Sequence, residues 1–222
     1  MTQQDPEQQC LVRALLEEHG RLYSDELGID LSKNTPSVLF RWLCASLLLS
    51  ARISSELAMK AARALSDAGW TTAQKMAGST WEERVKVLNR SGYARYDEST
   101  SRMLGDTVAH MIDRYDGDLR RLREEAGQSP GRERKLLKEF KGVGDVGADI
   151  FFRETQTAWE ELYPFADKKA LSAAGRLDLP GSADGLAALA GKKDFARLVA
   201  ALVRTSLSRD YEDVRRRASE GV

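Results

Sequence analysis

A chain of 222 residues, 42% hydrophobic and 31% charged, has the balance of a globular protein with a real core, not of a disordered one. Basic and acidic residues cancel to a formal net charge of zero, which excludes a protein that coats nucleic acid through bulk charge but leaves room for a local basic footprint. No apolar run approaches the ~20 residues that span a bilayer, and Cys10 and Cys44 are too few for a disulfide framework or a four-cysteine metal site.

The polar start, Met1-Thr-Gln-Gln-Asp-Pro-Glu, lacks the basic and apolar parts of a signal peptide, so a cytoplasmic protein without a membrane association is expected. His19 and His110 lie far apart in the sequence, and no metal or other cofactor is expected. Both cysteines sit in helical apolar patterns and read as buried thiols.

The elements punctuate as helices from end to end. Asp5-Pro6 opens the first and Gly20 closes it. Thr35-Pro36 opens a strongly apolar helix in which Val38, Leu39, Trp42, Leu43, Leu47 and Leu48 fall at three-four spacing. Ser54 or Ser55 caps a helix running to Gly69. Thr80-Trp-Glu-Glu83 is a capping box for a helix ending near Gly92. A longer helix covers Asp97 to Arg114, Asp116-Gly117-Asp118 turns into a short one with Leu119 and Leu122, and Ser129-Pro130 starts another that runs from Gly131 to Phe140. Lys141-Gly-Val-Gly144 breaks the pattern, and a helix resumes at Asp145. After Tyr163-Pro164 come helices over Asp167–Arg176, Ala183–Ala190 and Phe195–Val214, with a frayed tail from Arg215 to Val222. Alternating β-branched runs are missing, so the predicted fold class is all-α. Phe40, Trp42, Trp81, Phe151 and Trp159 read as core aromatics.

One segment carries chemistry. Between Leu136 and Ala148 two helices meet at a hairpin in which Gly142 and Gly144 flank an apolar Val143. Glycine permits the tight reversal and a close backbone approach, and Val143 can anchor the turn. The N–H groups of Gly144, Asp145 and Val146 then stand at a helix N-terminus, a natural anion site. From Arg132 to Lys141 there are five cations (Arg132, Arg134, Lys135, Lys138, Lys141) against Glu133 and Glu139. Those features favour a phosphate-binding turn over a plain helix–helix connection, although Asp145 would compete with phosphate for the same amides.

This hairpin, Phe140-Lys-Gly-Val-Gly-Asp-Val-Gly-Ala148, resembles that of the helix-hairpin-helix superfamily of DNA glycosylases, the endonuclease III branch in particular. Leu47-Leu-Leu-Ser-Ala-Arg52 is similar to that family's Leu-Leu-Ser-Ala-Gln signature, and Ser91-Gly92-Tyr93 to its glycine–aromatic loop. The matches keep the family's order over most of the chain.

The resemblance implies a two-lobed helix-hairpin-helix glycosylase fold, with residues 60–169 as the lobe bearing the hairpin (140–148) and residues 1–59 plus 170–222 as the second lobe. It implies a monomer that binds double-stranded DNA, associated with the nucleoid when so bound. It places Asp167 where the family has its catalytic aspartate, and Arg176 at a family arginine. A fixed carboxylate there would stabilise the positive charge that develops on the sugar, or activate water, once a damaged or mismatched base is flipped out. Asp167 also reads as a helix N-cap, a role compatible with chemistry. Lys138, Lys141 and the hairpin residues Gly142 to Val146 would hold the DNA backbone, and Lys168 and Lys169 could join them. Tyr93 is either a wedge into the duplex or core, and Arg52 either fills the gap left by a flipped base or pairs with an acid.

The departures shape the expected activity. Val146 stands where lyase members carry the Schiff-base lysine, so lysine-dependent strand cleavage is not expected. No cysteine follows Cys44, so there is no iron–sulfur cluster. The expected function is DNA repair by a monofunctional DNA glycosylase that hydrolyses an N-glycosidic bond with Asp167. The alternative is a non-catalytic protein that recognises damaged or bent DNA through the same hairpin.

Overall fold

The computed structural model describes residues 5–220. Its regular structure is helical throughout, with no strand among the described residues. In chain order the helices are α1 (Pro6–His19), α2 (Tyr23–Glu26), α3 (Pro36–Leu49), α4 (Ser55–Asp67), α5 (Ala73–Ala77), α6 (Trp81–Arg90), α7 (Asp97–Tyr115), α8 (Leu119–Glu125), α9 (Pro130–Leu137), α10 (Asp145–Thr155), α11 (Lys168–Arg176), α12 (Ala183–Ser208) and α13 (Tyr211–Ser219). Single 3-10 turns lie at Leu31–Lys33 and Glu160–Leu162. None of these helices is long and apolar enough to cross a membrane.

The starts follow from side chains that satisfy the orphan N–H groups of a first turn. Asp5 accepts from the Glu7 N–H, Thr35 from Val38 and Ser54 from Leu57. At α6 the capping box is complete: Glu83 N–H donates to Thr80 Oγ1 (3.2 Å) and Thr80 N–H to the Glu83 carboxylate (2.8 Å).

Several boundaries differ from the sequence reading. The helix before the hairpin ends at Leu137, not Phe140. The break expected between the helices over 183–190 and 195–214 is present: Gly191 takes a non-helical φ 75° and ψ 159° and divides α12 into two helical pieces. That element stops at Ser208 because Arg209 adopts a left-handed conformation. The expected frayed tail is helical up to Ser219, since Tyr211 and Val214 bury one face of α13; Gly221 and Val222 lie outside the described residues. Cys44 is buried as expected, but Cys10 is only half-buried.

The chain forms two compact units, Leu27–Phe152 and a second made of the chain up to Glu26 together with the chain from Arg153. This corrects the expected lobes: residues 27–59 belong with the hairpin, and residues 153–169 with the terminal segments. The first difference has its cause in α3, which buries Leu39, Phe40, Trp42, Leu43, Leu47 and Leu48. Each such side chain contributes ~2 kcal/mol on burial. Trp42 Nε1 also donates to the Phe151 carbonyl (3.1 Å), tying α3 to α10. In the same unit α3 packs on α4, and α7 on α5 and α6.

In the other unit α12 packs on α1 and α11, and α13 on α1. Leu11, Leu15, Leu177, Phe195, Leu198, Leu202 and Val214 share its core. Its second piece begins with a buried carboxylate: Glu154 accepts from the N–H groups of Tyr23 (2.9 Å) and Ser24 (2.8 Å) and so caps α2. Burial pushes the Glu154 pKa up, against the lowering effect of these hydrogen bonds and of Arg153. Arg204 stacks on the Tyr23 ring (3.9 Å) and pairs with Glu26 (2.7 Å).

Candidate functional site

The hairpin has the local geometry its sequence demands. Val143 is buried and its N–H donates to the Phe140 carbonyl (3.0 Å), closing the turn. Gly142 takes φ 87°, a conformation that L side chains rarely adopt, and a β-carbon there would stand 2.7 Å from Met103 Sδ. Gly144 differs: its φ is not in the left-handed region, and a β-carbon would meet nothing within 4 Å. The Gly144 carbonyl accepts from the Ala148 N–H (3.0 Å), which makes Gly144 the N-cap of α10.

The N–H groups of Gly144, Asp145 and Val146 make no hydrogen bond among the described residues. All three residues are exposed, Val146 by 59%. Their amides therefore present a set of donors, with the positive end of the helix dipole behind them, to whatever approaches.

The cations around the hairpin fall into two groups. Lys138 binds the Asp145 carboxylate (2.7 Å), and Arg134 contacts both Asp145 (3.5 Å) and Asp149. The Lys138 hydrogen bond holds Asp145 below the usual carboxylate range. Asp145 thus turns toward the cations of α9 and leaves the amides uncapped, so the expected competition takes another form: it neutralises two of the cations. Lys141 and Arg52, both exposed, make no ion pair among the described residues.

Arg52, Tyr93 and Gly142 line one recess of about 280 Å³, with Ser50, Tyr96 and Met103. Sequence reasoning finds the first three and places Tyr96 just past the glycine–aromatic loop; Met103 carries no motif, and only the packing of α7 under the hairpin brings it in. Tyr93 is 2% exposed, and its hydroxyl lies 3.5 Å from Thr100 Oγ1. Its ring is thus a wall of the recess and not a projecting wedge, and burial pushes its hydroxyl pKa up. Arg52 takes neither the acid partner nor the burial of an ordinary interhelical arginine. Of the aromatics read as core, Phe40, Trp42, Phe151 and Trp159 are buried, while Trp81 is half-buried.

Asp167 belongs to the other unit and is the N-cap of α11. Its Oδ1 accepts from the N–H groups of Lys169 (2.8 Å) and Ala170 (3.1 Å). Its Oδ2 accepts from Arg153 Nε (2.8 Å) and Nη2 (2.5 Å). The two side chains are 3% and 7% exposed. Both carboxylate oxygens are therefore engaged and shielded from water. Nearby, Gln156 bridges the Arg153 carbonyl (2.7 Å) and the backbone of Phe165 (2.9 Å), holding the approach to α11 in place. Lys168 and Lys169 are exposed. Arg176 stacks on Tyr211 (3.9 Å). Arg153 is the residue sequence reasoning misses; its partner lies on the next helix, and no spacing rule joins them.

No protein-family model matches the chain, and no curated protein or solved structure matches it.

Proposed function

We propose that this protein binds double-stranded DNA through the hairpin between α9 and α10 and recognises damaged or bent duplex without hydrolysing it. The observation that carries this reading is the set of exposed, uncommitted amides at Gly144, Asp145 and Val146, beside the unpaired cations of Lys141 and Arg52. Backbone N–H groups at a helix start suit a phosphate oxygen, and the open space at Gly144 lets a sugar–phosphate backbone come close. The adjoining recess, walled by Tyr93 and Tyr96, would favour DNA in which a base has left the stack. The non-catalytic form of the reading is preferred because Asp167 has neither a free oxygen nor access to water.

The test is duplex binding over a salt series, with intact, mismatched and abasic duplexes, for wild type, Gly144→Leu and Lys141→Gln. Gly144→Leu should keep the fold and weaken binding about tenfold or more. Lys141→Gln should weaken all duplexes alike and reduce the salt slope by about one. Salt-insensitive binding, or none, would remove DNA as the partner. Base release from a panel of uracil, oxidised, alkylated and mismatched duplexes, abolished by Asp167→Asn in protein verified as folded, would replace the binding reading with the monofunctional glycosylase.

A further inference from the structure

Helix α7 shows two working faces within the Leu27–Phe152 unit. On one, Thr107 Oγ1 donates to the Lys141 carbonyl (3.3 Å) and His110 packs edge-on to Phe140 (4.8 Å between ring centroids), supporting the hairpin. On the other, Arg102, Gly105, Asp106 and Ala109 line a recess of about 540 Å³ bordered by α5 and the start of α6.

Arg84 enters this recess from α6. It is 8% exposed; its Nε donates to the Ser101 carbonyl (3.1 Å) and its Nη1 to the carbonyl (2.8 Å) and hydroxyl (3.0 Å) of Ser79. Its Nη2 has no hydrogen-bond partner among the described residues, yet it is not a sealed atom. A β-carbon at position 105 would lie 2.8 Å from that nitrogen, so Gly105 is what leaves it room. The guanidinium is held in place by Ser79 and Ser101 and keeps one nitrogen open to whatever enters the recess, where it can give a carboxylate a charge-assisted hydrogen bond.

A second guanidinium stands by. Arg102 lies over the Trp81 ring (5.9 Å to the centroid) and makes no ion pair among the described residues, although Asp106 follows it at i+4. The buried side chains of Met76 and Val108 supply an apolar wall. Charge decides the class of ligand. Of the charged side chains that line the recess, Arg84 and Arg102 stand against Asp106, a surplus of one positive charge. One carboxylate matches that surplus, whereas a phosphate dianion exceeds it and would face Asp106 as well.

We propose that this recess binds a small monocarboxylate with an apolar body, its carboxylate between Arg84 Nη2 and Arg102 and its body against Met76, Val108 and Trp81. The reading is independent of the hairpin. It is tested by titrating the ¹⁵N-labelled full chain with phenylacetate, phenylacetamide and inorganic phosphate. Phenylacetate should shift the Trp81 indole N–H and the Gly105 amide saturably, with a dissociation constant of about a millimolar, as a ligand of this size allows. Arg102→Gln, an exposed change, should weaken it about tenfold, the scale of one lost charge-assisted hydrogen bond. Gly105→Ala should do the same by crowding Nη2. Equal shifts from phenylacetamide would overturn carboxylate recognition, and equal shifts from phosphate would overturn the monoanion assignment. Shifts that do not saturate, or that Arg102→Gln leaves unchanged, would end the proposal.

Discussion

The pairing of Arg153 with Asp167 joins two roles in one carboxylate. One oxygen satisfies the first turn of α11 and the other neutralises a buried guanidinium. Removing one partner of such a pair strands the other charge away from water, typically at a cost of 3–5 kcal/mol. Asp167→Asn keeps the capping oxygen but abolishes the charge, so it should destabilise the protein by about 3 kcal/mol in urea unfolding. Arg153→Leu should cost a similar amount, and the double variant less than the sum, because the second change removes the stranded group. Additive losses, or a loss under about 1 kcal/mol for Asp167→Asn, would mean that the pair carries little of the fold. The residue scale was legible where chemistry is local: Asp167 stands out in the sequence as an N-cap, and it is one. Its ion-pair partner was not legible, because contact across a bend in the chain leaves no periodic trace. The same holds for Glu154, whose carboxylate caps α2 from a distant part of the sequence.

Elements were more legible than their ends. Helix starts carry their own signals in Thr35, Ser54 and Thr80, since a side-chain oxygen must meet a backbone N–H two or three residues on. Short helices carry almost none: α2 and α5, of four and five residues, have too few turns to show a period. The hairpin lies between these cases, because its two glycines look alike in sequence and differ in structure. Gly142 is held at φ 87° over Met103, whereas Gly144 faces open space in an ordinary conformation. Gly142→Ala should therefore destabilise by about 1–2 kcal/mol, mostly from the left-handed backbone, since the Met103 side chain can move aside. Gly144→Ala should stay within about 0.5 kcal/mol of wild type, its lower unfolded-state entropy offsetting a poorer N-cap. Thermal or urea unfolding of the two variants separates them. Equal losses would show that the turn does not discriminate between the glycines as the geometry requires.

At the scale of the molecule, the division into units was hidden from the sequence. No linker composition marks either boundary, and the second falls inside α10, between Phe152 and Arg153. The arrangement has a kinetic consequence. Residues Leu27–Phe152 are contiguous, so their contacts close over short stretches of chain. The other unit must bring α1 against α12 and α13 across all of that intervening sequence. For a flexible chain that closure costs ~4 kcal/mol of loop entropy, and less once the intervening residues have already folded. Contacts of long sequence separation are accordingly late to form. In refolding followed by pulsed hydrogen exchange, amides in α3 and α7 should gain protection before those in α1. The docking of Leu11 and Leu15 onto Phe195 and Leu198 would then be a late step. Protection of α1 at the same time as α7, or earlier, would show that the terminal unit assembles without waiting for the segment inserted in it.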